Sequence, residues 1–555
     1  MAGTAVSRFC RGRNEDGVLP YLVELTSDHL FTFEMLNSMC LLDNYDHLLF
    51  ALECQISSSG SVVVPPFDVL LVLMTLATVS EHYKEPASRA NDPYNVSRSK
   101  LSHRSLKVLR FYTELLKQYD AESGGQYELE LLRCQFFIIV DSLIGNTRWG
   151  RTGRVKRRRT ENGVSYTSFV SESSDSESAG ESSVDNPYRS YMSCLERKKR
   201  VLGNELLSTK LKAPGEFINM ILWTLSNSLQ ENTALYISSH DIWLPLIEIL
   251  VDLIVLRHDF YVNFELSKSA DDRVVSQELS ESPLASFLHI IDSSHSGAFF
   301  CRCLLLACDY SYDDSYGDIE VHPVFHNENV LSKTYVPRTT YCKSYKLKRS
   351  MSLRRGIIGS YFKLLSEVPA GRRLIKPRCT ADQLLEDISN SLAKFKNIDE
   401  FRAFFITGDL SSALYFMPLL AEGTLGRLLE DFRESGPREL DGRLPLALIE
   451  NLDDVDKFLR ECTSLFRDGF FVPQQKEIHE NQLTNIMKGD ICLLVMFQYA
   501  IYLNSASEMK SNPRCNELTT AVYRNDKRRK KALMQSSLDL SLPLLRPPIL
   551  KILKM

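Results

Sequence analysis

The period of the apolar residues constrains this chain most, and wherever it can be read it is that of a helix, about 3.6 residues. Leu129, Leu132, Phe136, Ile139, Val140 and Leu143 share one helical face across 129–143. Phe217, Ile221, Leu225 and Leu229 do the same across 215–230, behind Pro214, which stands where a first-turn proline loses no needed N–H. A third stripe runs Ile242, Leu246, Ile249, Leu250 and Leu253. Its expected start has Ser238 or Ser239 as N-cap, Asp241 near the positive end of the dipole, and Pro245 early enough to be tolerated. Further helices are expected over 105–119, 384–395 and 491–503. Phe67–Val79 is apolar on every side, with Val69 to Met74 unbroken, which predicts a helix enclosed by its neighbours. The one strand-like fragment is Val62-Val63-Val64, and Pro65-Pro66 bars it from central pairing.

These patterns predict an all-α protein of irregular multi-helix lobes, with solenoid-like stacking of helix pairs and no fixed repeat. A chain of 555 residues exceeds one core, so about two to four lobes are expected. The divisions read as a helical lobe over 1–146, a central helical region over 188–330 and a C-terminal helical lobe over 331–510. Between the first two, 147–187 is basic and then acidic with few apolar residues, and is expected to be a disordered loop. The basic, Leu/Pro-ended 511–555 is expected to be a poorly ordered tail.

Several function classes find no footing. The formal net charge of −4 draws nothing globally toward DNA or an anionic membrane. Met1–Leu19 has no apolar run, so no secretory signal is expected, and the apolar stretch Ile242–Leu256 is short and carries Glu248 and Asp252. The 13 cysteines include no C-x-x-C, which favours a reducing compartment. Cys301, Cys303 and Cys308 near His289 and His295 lack the paired spacing of a zinc site and read as core. No phosphate loop, dinucleotide fingerprint, nucleophile elbow or H-E-x-x-H occurs. No enzyme activity, metal or cofactor is expected.

Short segments suited to binding remain. Lys156-Arg157-Arg158-Arg159 and Lys527-Arg528-Arg529-Lys530-Lys531 each fit a nuclear import signal, a phosphate-touching patch or a solvated charge run. Ser173, Ser174, Ser176 and Ser178 sit among acids and are candidate phosphosites. Phe169-Val170 before that run, and Val62-Val63-Val64, are candidate SUMO-interacting segments that would add a strand to a sheet edge.

Whole segments carry a resemblance. Phe33-Glu-Met-Leu-Asn-Ser-Met-Cys-Leu-Leu-Asp-Asn-Tyr-Asp-His47, Tyr83-Lys-Glu-Pro86, Arg89-Ala-Asn-Asp-Pro-Tyr-Asn95 and Leu129-Glu-Leu-Leu-Arg-Cys-Gln-Phe-Phe137 are among them. So are Asn186-Pro-Tyr-Arg-Ser-Tyr191, the run Gly215–Glu231, Leu279–Ala285 and Pro418–Leu425. In order and identity they resemble the budding-yeast type of fifth non-SMC element of the Smc five/six complex, from about Tyr21 to Leu503. The resemblance fades over 149–185 and beyond Ser511. It implies a non-catalytic helical protein that pairs with the sixth non-SMC element and engages the SMC ATPase near its heads. It further implies restrained ATP turnover, loading of the complex on DNA, SUMO binding and sumoylation by the complex's own ligase subunit. The expected place is the nucleus, on chromosomes, with DNA met only indirectly and no membrane. A generic helical nuclear adaptor in transport or transcription, and an enzyme using Cys301 or Cys303, are the competing readings. Leu206–Leu211, Ile357–Leu365 and the C-terminal helices are candidate contact faces because they are apolar.

Overall fold

The computed structural model describes residues 25–42, 44–57, 62–78, 98–119, 127–144, 214–226, 229, 234–266, 271–291, 297–305, 308, 345–406, 415–434, 448–473, 480–504, 506–534 and 544–553. Among them there is no strand, and the architecture is all-α. The chain divides into two compact units. The first holds Met1–Ser293, Glu320–Val336 and Val368–Pro377; the second holds Ser294–Ile319, Pro337–Glu367 and Arg378–Met555.

The first unit is built from α1 (Ser27–Leu41), α2 (Tyr45–Ser57), α3 (Phe67–Thr78), α4 (Arg98–Gln118), α5 (Tyr127–Leu143), α6 (Pro214–Leu225), α7 (Ala234–Phe260), α8 (Asp272–Leu279) and α9 (Pro283–Ile291). Helix α3 is buried almost all round, and α4 packs on α2, α3 and α7. Thr26 opens α1 with a capping box, its side chain accepting from the His29 N–H. Helix α7 runs straight through Pro245 rather than starting near it. Ser238 and Ser239 are therefore helical residues, not the N-cap. Ile242, Trp243, Leu246 and Ile247 around the proline are all buried, and that packing outweighs its missing N–H. Buried Arg257 on α7 meets buried Asp141 on α5 at 3.2 Å.

The second unit comprises α10 (Gly297–Leu304), α11 (Tyr345–Ser366), α12 (Ala381–Ala393), α13 (Ile398–Phe405), α14 (Phe416–Glu434), α15 (Val455–Asp468), α16 (Glu480–Leu503), α17 (Ala506–Ser511), α18 (Arg514–Met534) and α19 (Arg546–Ile552). Helix α16 is central, packed on α13, α14 and α19. Its residues 482–503 are long and apolar enough to cross a membrane, but 67% of that stretch is buried by its own fold. It also holds Lys488 and Asp490 inside, as a core helix can and a lipid-facing one cannot at little cost. Thr380 caps α12, Asn397 caps α13 and Asp454 caps α15. Gly469 closes α15 at φ 99°, a left-handed position that favours glycine. At Gly423 of α14 an added methyl carbon would sit 2.6 Å from the Ser389 hydroxyl of α12, so glycine sets how closely these two helices approach.

Two expectations change here. The basic end of the chain is not a poorly ordered tail over its described part, since 514–534 and 546–552 are helices with Cys515, Leu518, Val522, Leu533, Leu545 and Ile549 buried. A thin apolar stripe at helical spacing does this, hidden in composition by the cations on the other face. Ile357–Leu365 is no free contact face either. Ile357, Ile358, Tyr361, Phe362 and Leu364 all lie in the core.

Candidate interaction surfaces

Buried cations come first, because such groups often mark chemistry. Lys488 Nζ donates to the carbonyls of Ala393 and Phe395, the latter at 3.0 Å. Burial pushes its amine down to about 8. Arg354 reaches the Leu304 carbonyl, and Arg355 donates to Ala403 and Phe404 carbonyls at 2.8 and 2.9 Å. Each cation thus serves the C-terminal carbonyls of another helix: α12, α10 and α13. Those carbonyls have no partner within their own helix and carry the negative end of its dipole. The three charges are braces of the fold.

Most of the described thiols are enclosed as well, Cys54 being exposed and Cys308 half-buried. Cys301 and Cys303 are buried, and burial pushes the Cys462 and Cys492 thiols up, the opposite of what a reactive thiolate needs. Among the described residues, no three His, Cys, Asp or Glu side chains converge as metal ligands would.

The surface offers more. Between α14, the short turn of helix at Ile449–Asn451 and α16 lies a groove of about 460 Å³. Its walls include Tyr415, Leu419, Leu452, Tyr499, Tyr502 and Leu503, with Glu450 and Asp453 at the rim. Tyr502 is 46% exposed and Leu503 56%. Sharing Leu419, Ile449 and Glu450 with it, a second groove of about 760 Å³ continues between α12 and α14. That stretch is acidic, with Asp382, Glu386, Glu422, Glu430 and Glu450 against a single cation, Arg427. Arg427 itself pairs with Glu430 and Asp431 at 3.3 and 3.6 Å. Glu422 accepts from the Leu448 and Ile449 N–H groups at 2.7 and 3.1 Å, fixing the floor, and burial raises its carboxyl. An apolar slot leading into an acidic channel suits a helix with a bulky anchor and basic flanks. In the first unit, Phe31 and Met35 of α1, Leu42 just after it, and Phe50 of α2 stand exposed.

The segments singled out in the sequence lie as follows. Val62–Val64 forms no strand, Val64 is buried, and the Val63 carbonyl accepts from the Tyr112 hydroxyl at 2.8 Å. The run 527–531 lies on α18, with Lys527, Arg528, Lys530 and Lys531 exposed while Arg529 is buried against Asp490. Phe169, Val170, Lys156–Arg159, the serines 173, 174, 176 and 178, and Leu206–Leu211 lie outside the described residues. Sequence reasoning missed both grooves. Each is assembled from three segments far apart in the chain, and no local spacing signals that.

Residues 1–513 match a family model described as DNA repair proteins Nse5 and Nse6. The chain belongs to that family. It is similar to the non-structural maintenance of chromosome element 5 of Saccharomyces cerevisiae, 45% identical over 531 residues, which is 95% of this chain and 94% of that protein. The resemblance drawn from the short segments above therefore holds at the level of the family. The two grooves lie within the matched span, whereas α18 begins just beyond the end of the family model and α19 further on.

Proposed function

We propose that this chain is a non-catalytic regulatory and loading subunit of the Smc five/six complex, acting in DNA repair in the nucleus, on chromosomes. In this reading it forms a heterodimer with the sixth non-SMC element. The pair meets the SMC subunits near their heads, restrains ATP turnover, promotes chromatin loading and supports sumoylation. The observation that carries the reading is similarity along nearly the whole chain to a chromosome-maintenance element. Supporting it physically, Lys488, Arg354 and Arg355 are occupied in bracing helix ends, and exposed apolar side chains gather in an acid-rimmed groove. Restraint of an ATPase needs no chemistry from the inhibitor. It requires only tighter binding to one arrangement of the heads, and about 3 kcal/mol of difference shifts that equilibrium roughly a hundredfold.

The test is reconstitution. Purified chain and sixth element should elute as one complex, and Leu503→Asp with Tyr502→Ala should weaken that complex without lowering the thermal midpoint of this chain. Added to the SMC subunits, the heterodimer should lower ATP turnover. Failure of the two purified chains to associate would overturn the reading.

A further inference from the structure

We infer that the outward face of α18, extended by α19, is a contact surface for the phosphate backbone of duplex DNA. Arg524, Lys527, Arg528, Lys530 and Lys531 are all exposed on this helix, and the only acid between Tyr523 and Met534, Asp526, points inward. Asp526 is already committed there, accepting from the Leu545 and Arg546 N–H groups at 3.3 and 3.0 Å. Those bonds hold α19 beside α18. They also bring Arg546 over the Tyr523 ring, 5.2 Å from its centre, and Lys551 is exposed on the same short helix. No ion pair is formed by Arg524, Lys527, Lys530, Lys531 or Arg546 among the described residues.

Two structural explanations fall short. The helix dipole rewards cations only in the last turn, which accounts for Lys531 but not for Arg524 or Lys527. A solvated helix face normally interleaves acids at i+3 or i+4 for mutual support. Here Arg524 with Arg528, and Lys527 with Lys531, are like charges at just that spacing, and they disfavour the helix. The arrangement is spent on something outside the chain.

Its dimensions identify the polyanion. Arg524 to Lys531 covers about 10 Å of helix at ~1.5 Å per residue, along which duplex DNA presents about six charges at ~1.7 Å each. At about 100° per residue, Arg528 and Lys530 stand roughly 160° apart, so the cations fan across a broad face as contacts to both walls of a groove require. Tyr523, half exposed with Arg546 over one face, is the one aromatic ring among these cations, and a single ring does not make the succession of stacking platforms that a single strand uses. The inference draws on membership of a DNA repair family and not on the heterodimer reading. It departs from the expectation that DNA is met only indirectly.

The test uses the full chain and a fluorescein-labelled random 30-base-pair duplex, titrated by anisotropy from 50 to 200 mM salt. Wild type should bind with log K falling against log salt at a slope of about −4, near −0.9 for each of four to five phosphates. Lys527→Gln, Lys530→Gln and Lys531→Gln together should flatten that slope by about 3, with an unchanged or higher melting temperature. An equal charge change at exposed Lys348, Lys394 and Lys396, each to Gln, should leave the slope as it was. If the two triple variants bind alike, the assignment is overturned. Tighter binding to labelled poly-glutamate than to the duplex at equal salt would also overturn it, giving the face to an acidic protein partner instead.

Discussion

The guanidinium of Arg529 meets the carboxylate of Asp490 end to end, Nη1 to Oδ1 at 3.1 Å and Nη2 to Oδ2 at 2.8 Å, and both residues are buried. This two-pronged pair joins α18 to α16 and fixes the register of the basic helix on the core. Burial holds the Asp490 carboxyl up at about 6 even so. Arg529→Met should cost about 3–5 kcal/mol at pH 7.5, because it leaves a buried carboxylate without its counter-ion. The folded-state value lies above the ordinary 3.8, so the folded chain holds this proton more tightly than the unfolded one. Asp490 therefore adds stability as pH falls from about 6 toward 3.8. Loss of Arg529 raises the carboxyl further, so the deficit of the variant should narrow at pH 5. Urea midpoints at the two pH values decide it, and a deficit that widens on acidification would contradict the pairing.

Lys488→Met tests the bracing of helix ends. The substitution keeps the volume but leaves the Ala393 and Phe395 carbonyls without a donor, and should cost about 1–3 kcal/mol at pH 7. The amine is depressed from 10.5 to about 8, so between those values the unfolded chain binds more protons than the folded one. Wild-type stability contributed by this residue should rise across that window, and the gap to the variant should widen from pH 8 to pH 10. Thermal melts of both proteins in matched buffers read it directly.

The same residues show where the sequence is legible. Dense aliphatic stripes gave α3 and α5 to within two residues and the start of α6, which ends at Leu225 rather than near 230, because period and burial coincide there. Helix α16 begins at Glu480 rather than at the expected 491, because Lys488 and Asp490 read as polar surface when they are buried with partners. Helix α18 was hidden for a related reason: part of its inner face is Asn525 and Arg529, which donate to the Phe470 carbonyl just after α15 and to Asp490. Pairing between distant polar groups is a property of the fold, and no window of sequence contains it. An apolar face also looks the same whether it meets its own core or a partner, which is why Ile357–Leu365 misled and the groove by Tyr502 stayed unseen.

Glycine at 489 is required by a neighbour rather than by its own backbone. A methyl built there would overlap the ring of Phe471, which is itself fixed in the core at φ 47°. Gly489→Ala, which in an open helix would gain about 0.5–1 kcal/mol, should instead destabilise by about 1–3 kcal/mol through overpacking. Gly356→Ala in α11 is the control. Nothing lies within 4 Å of its added carbon, and it should show the ordinary gain. Opposite signs of the two shifts in urea midpoint are the expected result.

Tyr112→Phe separates the two candidate SUMO segments. The phenol, itself pushed up by burial, donates to the Val63 carbonyl, and its removal leaves a half-buried acceptor unpaired at a cost of about 1–2 kcal/mol. For Val62–Val64 to add a strand to a sheet edge, that carbonyl must first be released from Tyr112. Phe substitution releases it in advance. Binding through this segment should therefore tighten in the variant while its melting temperature falls, two changes of opposite sign from one lost hydroxyl. Binding through Phe169 and Val170 involves no such release and should be unmoved. Calorimetric titration of both proteins with SUMO distinguishes the cases, and an affinity that falls along with stability would count against the valine segment.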